Sequence, residues 1–418
     1  MKIFKLMAVA LVAMVGLNSC SKDCDHEFIE HDYSKDLVGT WTYMEEGQAE
    51  AMVINPDGSF TTTGVMNGGN GSLYEEKGTI KVVNNKVSLA YNSGDVFEGR
   101  LELVAGKSLS LVMFDDNDVR LTYNYCENDL ADEVVGMWVC NDYSTGVEND
   151  MVIQIFKEDG TVTKTGWSAA SNEFIVNETI TYKVVGDLVF HQRPSEMVAE
   201  GAAAHFASKL TYMPNANQLG DMLTNTSIKV INGEAVELSA SMLRVKQSLD
   251  LAGQKYDYIK TYVSNVKGED KDVNFMGYTF NFAKMDGSGL DKMLKSLLFA
   301  VEFPDADHLT YSYQMNGNKE TYNAPIVVEG NKMTIKMSEK VATLKDVVLY
   351  AFQDADCSQL HFYMHRDAFV NFYTNMQAML MAATDEQFDI NNAEAVNAIY
   401  NEINNAVETI NVSLVMSK

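Results

Sequence analysis

This chain of 418 residues has no apolar run long enough to cross a bilayer as a helix. Its N-terminal apolar stretch, Leu6 to Leu17, falls well short of the roughly 20 residues such a helix takes. Basic residues are few, with 32 Lys and Arg against 58 Asp and Glu and a net charge of −26. A field of that sign repels phosphate backbones and anionic lipid surfaces, which argues against nucleic acid as a partner. Cysteine is scarce: Cys20, Cys24, Cys126, Cys140 and Cys357 are the five, and none has metal-ligand spacing such as C-x-x-C. Missing too are a G-x-S-x-G elbow, H-E-x-x-H, a phosphate-cradling Gly loop and a dinucleotide fingerprint. Asp286-Gly287-Ser288-Gly289 lacks the elbow's first Gly. No catalytic residue, metal site or cofactor is therefore assigned. Hydrophobic content of 46% is that of a globular protein, and the length suggests two or three domains.

What is present begins at the N-terminus. Lys2 and Lys5 precede the apolar stretch, and Asn18, Ser19 and Cys20 follow it, the layout of an export signal. Leu17-Asn18-Ser19-Cys20 resembles the lipobox of bacterial lipoproteins, with Asn18 a departure from the small or apolar residue usual there. The resemblance implies cleavage before Cys20 and a lipid on its sulfur. A single acyl chain holds weakly and two or three hold durably, since each buried methylene gains about 0.8 kcal/mol. Ser21-Lys22-Asp23-Cys24-Asp25 resembles the short acidic signal that takes lipoproteins of the Bacteroidetes to the outer face of the outer membrane, with the periplasmic face as the alternative. The expected division is a signal over 1–19 and a lipidated, polar tether over 20–36.

Internal repeats organise the rest. Leu37-Val38-Gly39-Thr40-Trp41 recurs as Val134-Val135-Gly136-Met137-Trp138. Asp57-Gly58, opening a strand to Gly64, recurs as Asp159-Gly160, opening one to Gly166. A hairpin over Val82 to Leu89 recurs over Val184 to Phe190, and again over Val327 to Ile335. Asp-Gly and Asn-Asn between alternating residues are hairpin signals. Three modules follow, at 37–127, 131–260 and 270–418. Turn spacing in the first predicts about eight antiparallel strands in up-and-down order, enough to close a barrel whose interior just holds side chains or one small ligand.

Gly39-x-Trp41 and Gly136-x-Trp138 resemble the lipocalin signature, and the wider pattern is similar to the lipocalin-like lipoproteins of the Bacteroidetes. The resemblance implies that each Trp plugs the closed end of a barrel, and it brings no assigned activity. The fold class is thus mainly β: tandem antiparallel lipocalin-like barrels or curved sheets, with an α+β C-terminal module. Gly277-Tyr278-Thr279-Phe280 takes the corresponding place in the third module.

Helical spacing places Met197, Val198, Ala202, His205 and Phe206 on one face of a helix over 195–210. Further stripes run from Leu290 to Val301, Phe369 to Leu380 and Val396 to Ile410, before a last strand at Val412-Ser413-Leu414-Val415. Candidates for chemistry are weak. Cys357, His361 and His365 have helical metal-ligand spacing, but alternation over Leu360 to Met364 favours a strand at a surface or edge. His191, His205 and His308 stand alone, as core residues do. Asp115 to Asp118 and Asp354-Ala355-Asp356 suit solvated turns better than calcium loops. Met364, Met376, Met379 and Met381 read as core filler before ligand pocket. Cys126 and Cys140 flank a module junction, where a disulfide is one option.

These features point to a non-enzymatic, lipid-anchored envelope protein that binds a small apolar or amphipathic ligand or a protein partner. The alternatives are a structural subunit docking another envelope protein through the stripe from Val396 to Ile410, or a hydrolase with dispersed carboxylates. Cys20→Ser is expected to move the chain from the membrane to the soluble fraction, read by immunoblot of fractionated cells.

Overall fold

The computed structural model describes residues 33–418, apart from 46–47, 66–72, 114–119, 141–151, 169–170, 172, 196–197, 199–203, 217–219, 232–233, 276, 286 and 316. Cys20, Cys24, the export signal, most of the tether and Asp115 to Asp118 lie outside the described residues. Among the described residues no helix is long and apolar enough to cross a membrane.

Three closed antiparallel barrels of eight strands follow one another along the chain. The first comprises β1 (Gly39–Glu45), β2 (Gln48–Ile54), β3 (Ser59–Val65), β4 (Leu73–Val83), β5 (Lys86–Tyr91), β6 (Val96–Val104), β7 (Ser108–Met113) and β8 (Arg120–Cys126). The second comprises β9 (Gly136–Cys140), β10 (Ile153–Phe156), β11 (Thr161–Ser168), β12 (Glu173–Val185), β13 (Leu188–Gln192), β14 (His205–Met213), β15 (Met222–Ile231) and β16 (Glu234–Val245). In both, every strand pairs with its sequence neighbour and the first closes on the last. The mainly β, up-and-down expectation holds.

The repeated motifs do the same local work in both copies. Asp57 accepts hydrogen bonds from the Ser59 N–H and hydroxyl, and Asp159 does so from Thr161, which fixes each turn before its strand. Asn84 and Asn85 both take positive φ, the left-handed pair a tight hairpin turn requires. Trp41 and Trp138 are fully buried at the end of their barrels where the turns are short. Their indole N–H groups donate to the Leu37 and Val134 carbonyls at 2.8 and 2.7 Å, so neither buried donor is left unmet.

The third barrel departs from the expected boundary. Its first strand is β17 (Gln254–Gly268), which begins within the stretch read from the sequence as the end of the second module. Pairing of β17 with both β20 (Ala300–Asp305) and β26 (Val407–Ser417) closes the circuit, a choice of partner with no local sequence signal. The barrel continues through β21 (His308–Met315), β22 (Asn318–Glu329), β23 (Lys332–Ile335), β24 (Val347–Gln353) and β25 (Gln359–His365). The strand β19 (Tyr278–Asn281) is no barrel strand; it pairs with β18 (Asp272–Phe275) in a separate hairpin. The helix Ser288–Ser296 follows, ending before Val301, which lies in β20. Helices Arg366–Thr384 and Ala393–Ala406 stand between the last two strands, as expected, although Val407 and Ile410 belong to β26. Val396, Ile399 and Ile403 are buried in the third barrel's own core, so that stripe is spent internally and offers no docking face. The expected helix over 195–210 is also overturned where it is described: 205–210 forms part of β14, paired with β13 and β15.

Outer faces join the barrels. Ala49, Ala51 and Val65 of the first pack against Leu188 and Phe190 of the second. Met137, Val139, Leu243 and Val245 of the second meet Tyr350, Phe352 and Tyr363 of the third. Strands at these seams are buried on both faces, over Leu188 to His191 in β13 and over the whole of β25. No disulfide joins Cys126 to Cys140 across the junction. Phe190→Ala is expected to cost about 3–5 kcal/mol, a core-sized loss for a side chain on the outside of a barrel, checked by urea denaturation.

Candidate functional site

Alternation along the strands decides which side chains enter each lumen. In the first barrel the half nearest the short turns is filled by Trp41, Met52, Ile54, Phe60, Leu89 and Leu109. Toward the other end the row becomes polar. Tyr43 lies opposite Glu50, Glu50 opposite Gly64, and Gly64 opposite Tyr74 across successive strands. Glu50 accepts from the Tyr123 hydroxyl on one oxygen and from the Tyr74 hydroxyl on the other. A Cβ at position 64 would overlap the Tyr74 hydroxyl, so Gly64 is what lets that phenol reach across. Glu50 is half-buried by surface area yet deep in the lumen. Desolvation there outweighs the two phenol hydrogen bonds, and Glu76 adds repulsion, so the carboxyl is held above its ordinary value.

The second barrel repeats the plan with different chemistry. Its floor is Trp138, Phe156, Val162, Ile180, Leu210 and Leu223. Above it, Gln154 lies opposite Lys164, and Lys164 opposite Glu178. Further round, Tyr182 lies opposite His191, and His191 opposite Phe206. Glu178 pairs with Lys164 at 3.2 Å and with Arg193 at 3.0 Å. The Lys164 ammonium and the Arg193 guanidinium lie 5.1 and 4.5 Å from the centre of the Phe206 ring. His191 stacks on that ring at 4.6 Å and is 1% exposed, and its Nδ1 has no hydrogen-bond partner. The Gln154 Oε1 is also unpartnered. Burial lowers the Lys164 ammonium, which Glu178 partly offsets. Burial, helped by Lys164 and Arg193, pushes His191 far below its ordinary value and keeps it neutral. Burial would raise Glu178, but Arg193 and Lys164 outweigh it and hold the carboxyl low.

The third barrel holds an apolar cavity of about 30 Å³ between its sheet and the helix Arg366–Thr384, with Phe299, Tyr311, Met337, Phe362, Met364 and Met376 among its walls. One water needs about 10–15 Å³ by this measure and several polar partners. The cavity is thus a dry packing gap with no space for an organic ligand. Met364, Met376 and Met379 are buried core residues, and the Tyr311 hydroxyl donates to the Met379 sulfur at 3.2 Å.

The remaining candidates from the sequence fall elsewhere. His361 and His365 share the outward face of β25 but are buried at or beside the seam with the second barrel, not at a surface or edge. His365 stacks on Trp167 at 3.2 Å. Burial drives the two imidazoles down to about 4 and about 3. Cys357 sits apart, on the turn before β25. Among the described residues no three His, Cys, Asp or Glu side chains form a metal-ligand group. His308 pairs with Asp305 at 2.8 Å on an exposed turn. Asp354 is buried rather than solvated and accepts from the Gln359 N–H at 2.8 Å and from the Ser358 hydroxyl. No local signal in the sequence marks His191 as the histidine that enters a lumen beside Lys164 and Arg193. The register that brings Lys164, Glu178 and Arg193 beside it spans three strands. Glu50→Gln tests the first lumen. A carboxyl held above its unfolded value costs stability as pH rises through that interval. The variant's melting temperature is therefore expected to gain on the native chain between pH 4 and pH 7, read by thermal melts at both.

No protein-family model matches the chain, and no curated protein is similar to it in sequence. Among solved structures it is similar to a porin-like protein from Bacteroides uniformis, at 11% identity and a TM-score of 0.14, over 49% of this chain and 94% of the other. It is also similar to the isotype 1 transferrin binding protein B from serogroup B Neisseria meningitidis, at 9% identity and a TM-score of 0.21, over 90% of this chain and 66% of the other. At these scores neither likeness carries an argument about fold or function.

Proposed function

We propose that this chain is a lipid-anchored envelope protein, held at the outer membrane through Cys20, that binds rather than catalyses and takes a small amphipathic ligand at a barrel mouth. The observation that carries the reading is the same division in two lumens: an apolar floor around a buried Trp and a polar row above it. A filled floor excludes deep insertion of a bulky apolar ligand. The polar row gives the upper end groups that fix orientation, as binding sites do with a few placed polar side chains on an apolar wall. The export signal, the lipobox-like residues and the acidic tether support the location. The lack of a recognised catalytic motif supports binding over turnover.

The experiment is native mass spectrometry of the chain taken from its own envelope, followed by calorimetric titration with octanoate and octanol. A small molecule retained on purification, or saturable binding of either probe, is the expected result. A chain that carries nothing and binds neither probe overturns the reading.

A further inference from the structure

The seam between the second and third barrels has two ends of different make. At one end the chain crosses it, from Val245 at the close of β16 to Gln254 at the start of β17. Gln353 pins that crossing. Its side-chain amide donates to the Asp250 carbonyl at 2.8 Å, and its side-chain oxygen accepts from the Asp250 N–H at 2.7 Å. Its backbone carbonyl accepts from the Lys246 N–H, also at 2.7 Å. Across the β24–β25 ladder Gln353 lies opposite Leu360, so His365 stands toward the far end of the seam, about 17 Å along the strand at about 3.4 Å per residue.

That far end closes on rings. His365 stacks on Trp167 with 3.2 Å between ring centres and 12° between planes, and Phe174, Tyr350 and Tyr363 flank the pair. Trp167 and Phe174 come from the second barrel, the other three from the third. His365 is 7% exposed, and its Nε2 is buried without a hydrogen-bond partner. Charged groups on the surrounding elements lie elsewhere. Lys164 and Glu178 pair inside the lumen, Glu173 pairs with Lys332 at 2.7 Å, Arg366 with Asp367 at 2.9 Å, and Glu408 is exposed. Tyr350 and Tyr363 are phenols, uncharged at neutral and acid pH. His361, also on the outward face of β25, is the other imidazole there. Burial brings His365 down to about 3 against a hydrogen bond with Asn411, and no charged group among the described residues enters that balance.

A neutral imidazole packs there as its aromatic neighbours do. A protonated one is a desolvated cation whose Nε2–H has no acceptor, and an indole face attracts it without supplying one. Once in water, the same side chain takes its ordinary value of about 6.5. The closed seam therefore keeps its full advantage above that value and loses it as pH falls toward 3. Each pH unit between the two favours the open form by about tenfold. We propose that His365 and Trp167 form an acid-released latch: the neutral pair holds the third barrel's outer face against the second, and protonation of His365 lets the two part about the Gln353 end. The latch works whether or not a lumen holds a ligand.

The test is Trp emission and small-angle X-ray scattering of the full chain between pH 7.5 and pH 4.5, with circular dichroism to follow the sheets. Trp41 and Trp138 are sealed in their floors, so Trp167 is the reporter, and Trp167→Phe confirms the source of the signal. The open-to-closed ratio is expected to rise about a hundredfold over this range, seen as a red shift of emission and a larger radius of gyration with the sheet signal unchanged. His365→Phe keeps a ring on the indole and is expected to abolish the response, a chain that stays closed in acid being nothing that misfolding imitates. Emission and radius unchanged down to pH 4.5 in the native chain overturn the proposal. So does emission that dims without shifting at constant radius, the sign of an imidazolium held on the indole. An acid response that His365→Phe leaves intact overturns it as well.

Discussion

Closure of each sheet on itself is the constraint from which the other features descend. When β1 pairs with β8, β9 with β16 and β17 with β26, the three barrels leave no edge strand among the described residues to seek a partner. Closure also divides the side chains of each strand into a lumen set and an outer set. Everything that gives these barrels chemistry lies in the first set, and everything that joins them lies in the second.

Eight strands enclose little more than the side chains that fill them. The large rings of Trp41 and Trp138 take the space near the short turns, and aliphatic residues complete the floor. Polar groups therefore enter only toward the other end, where the lumen is less crowded. There they meet one another instead of water, which explains why Glu50 is held by two phenols and Glu178 by two cations. The duplicated frame carries an acidic row in one lumen and a row with two cations and Glu178 in the other.

The third barrel shows a different use of the same closure. Helices inserted before its last strand pack onto the sheet and enlarge its core, and the methionines adapt that core to an irregular shape. Its outer face carries Tyr350, Phe352, Tyr363 and His365, which lock onto Trp167 and its neighbours in the second barrel. The histidines that looked most like ligands are thus kept neutral and serve packing. A charged imidazole there would be desolvated with no acid beside it.

Local pattern was enough for the β class, the up-and-down order and the two long helices of the third barrel. Turn chemistry and alternation are set by residues close together in the chain, and Asp57-Gly58, Asn84-Asn85 and the stripe from Phe369 are instances. Long-range choices lay beyond that reach. Whether β17 belongs to the second or third barrel depends on which strands it meets, and 205–210 becomes strand because β13 and β15 flank it, against its helical spacing. The polar rows are of the same kind. Lys164, Glu178, His191 and Arg193 are ordinary residues in four separated places, and only the register of a closed sheet puts them in one lumen. The sequence by itself determined the strands, their turns and their up-and-down order, because those signals are local. Tertiary structure alone decided which charges face each other, because facing is a property of paired strands.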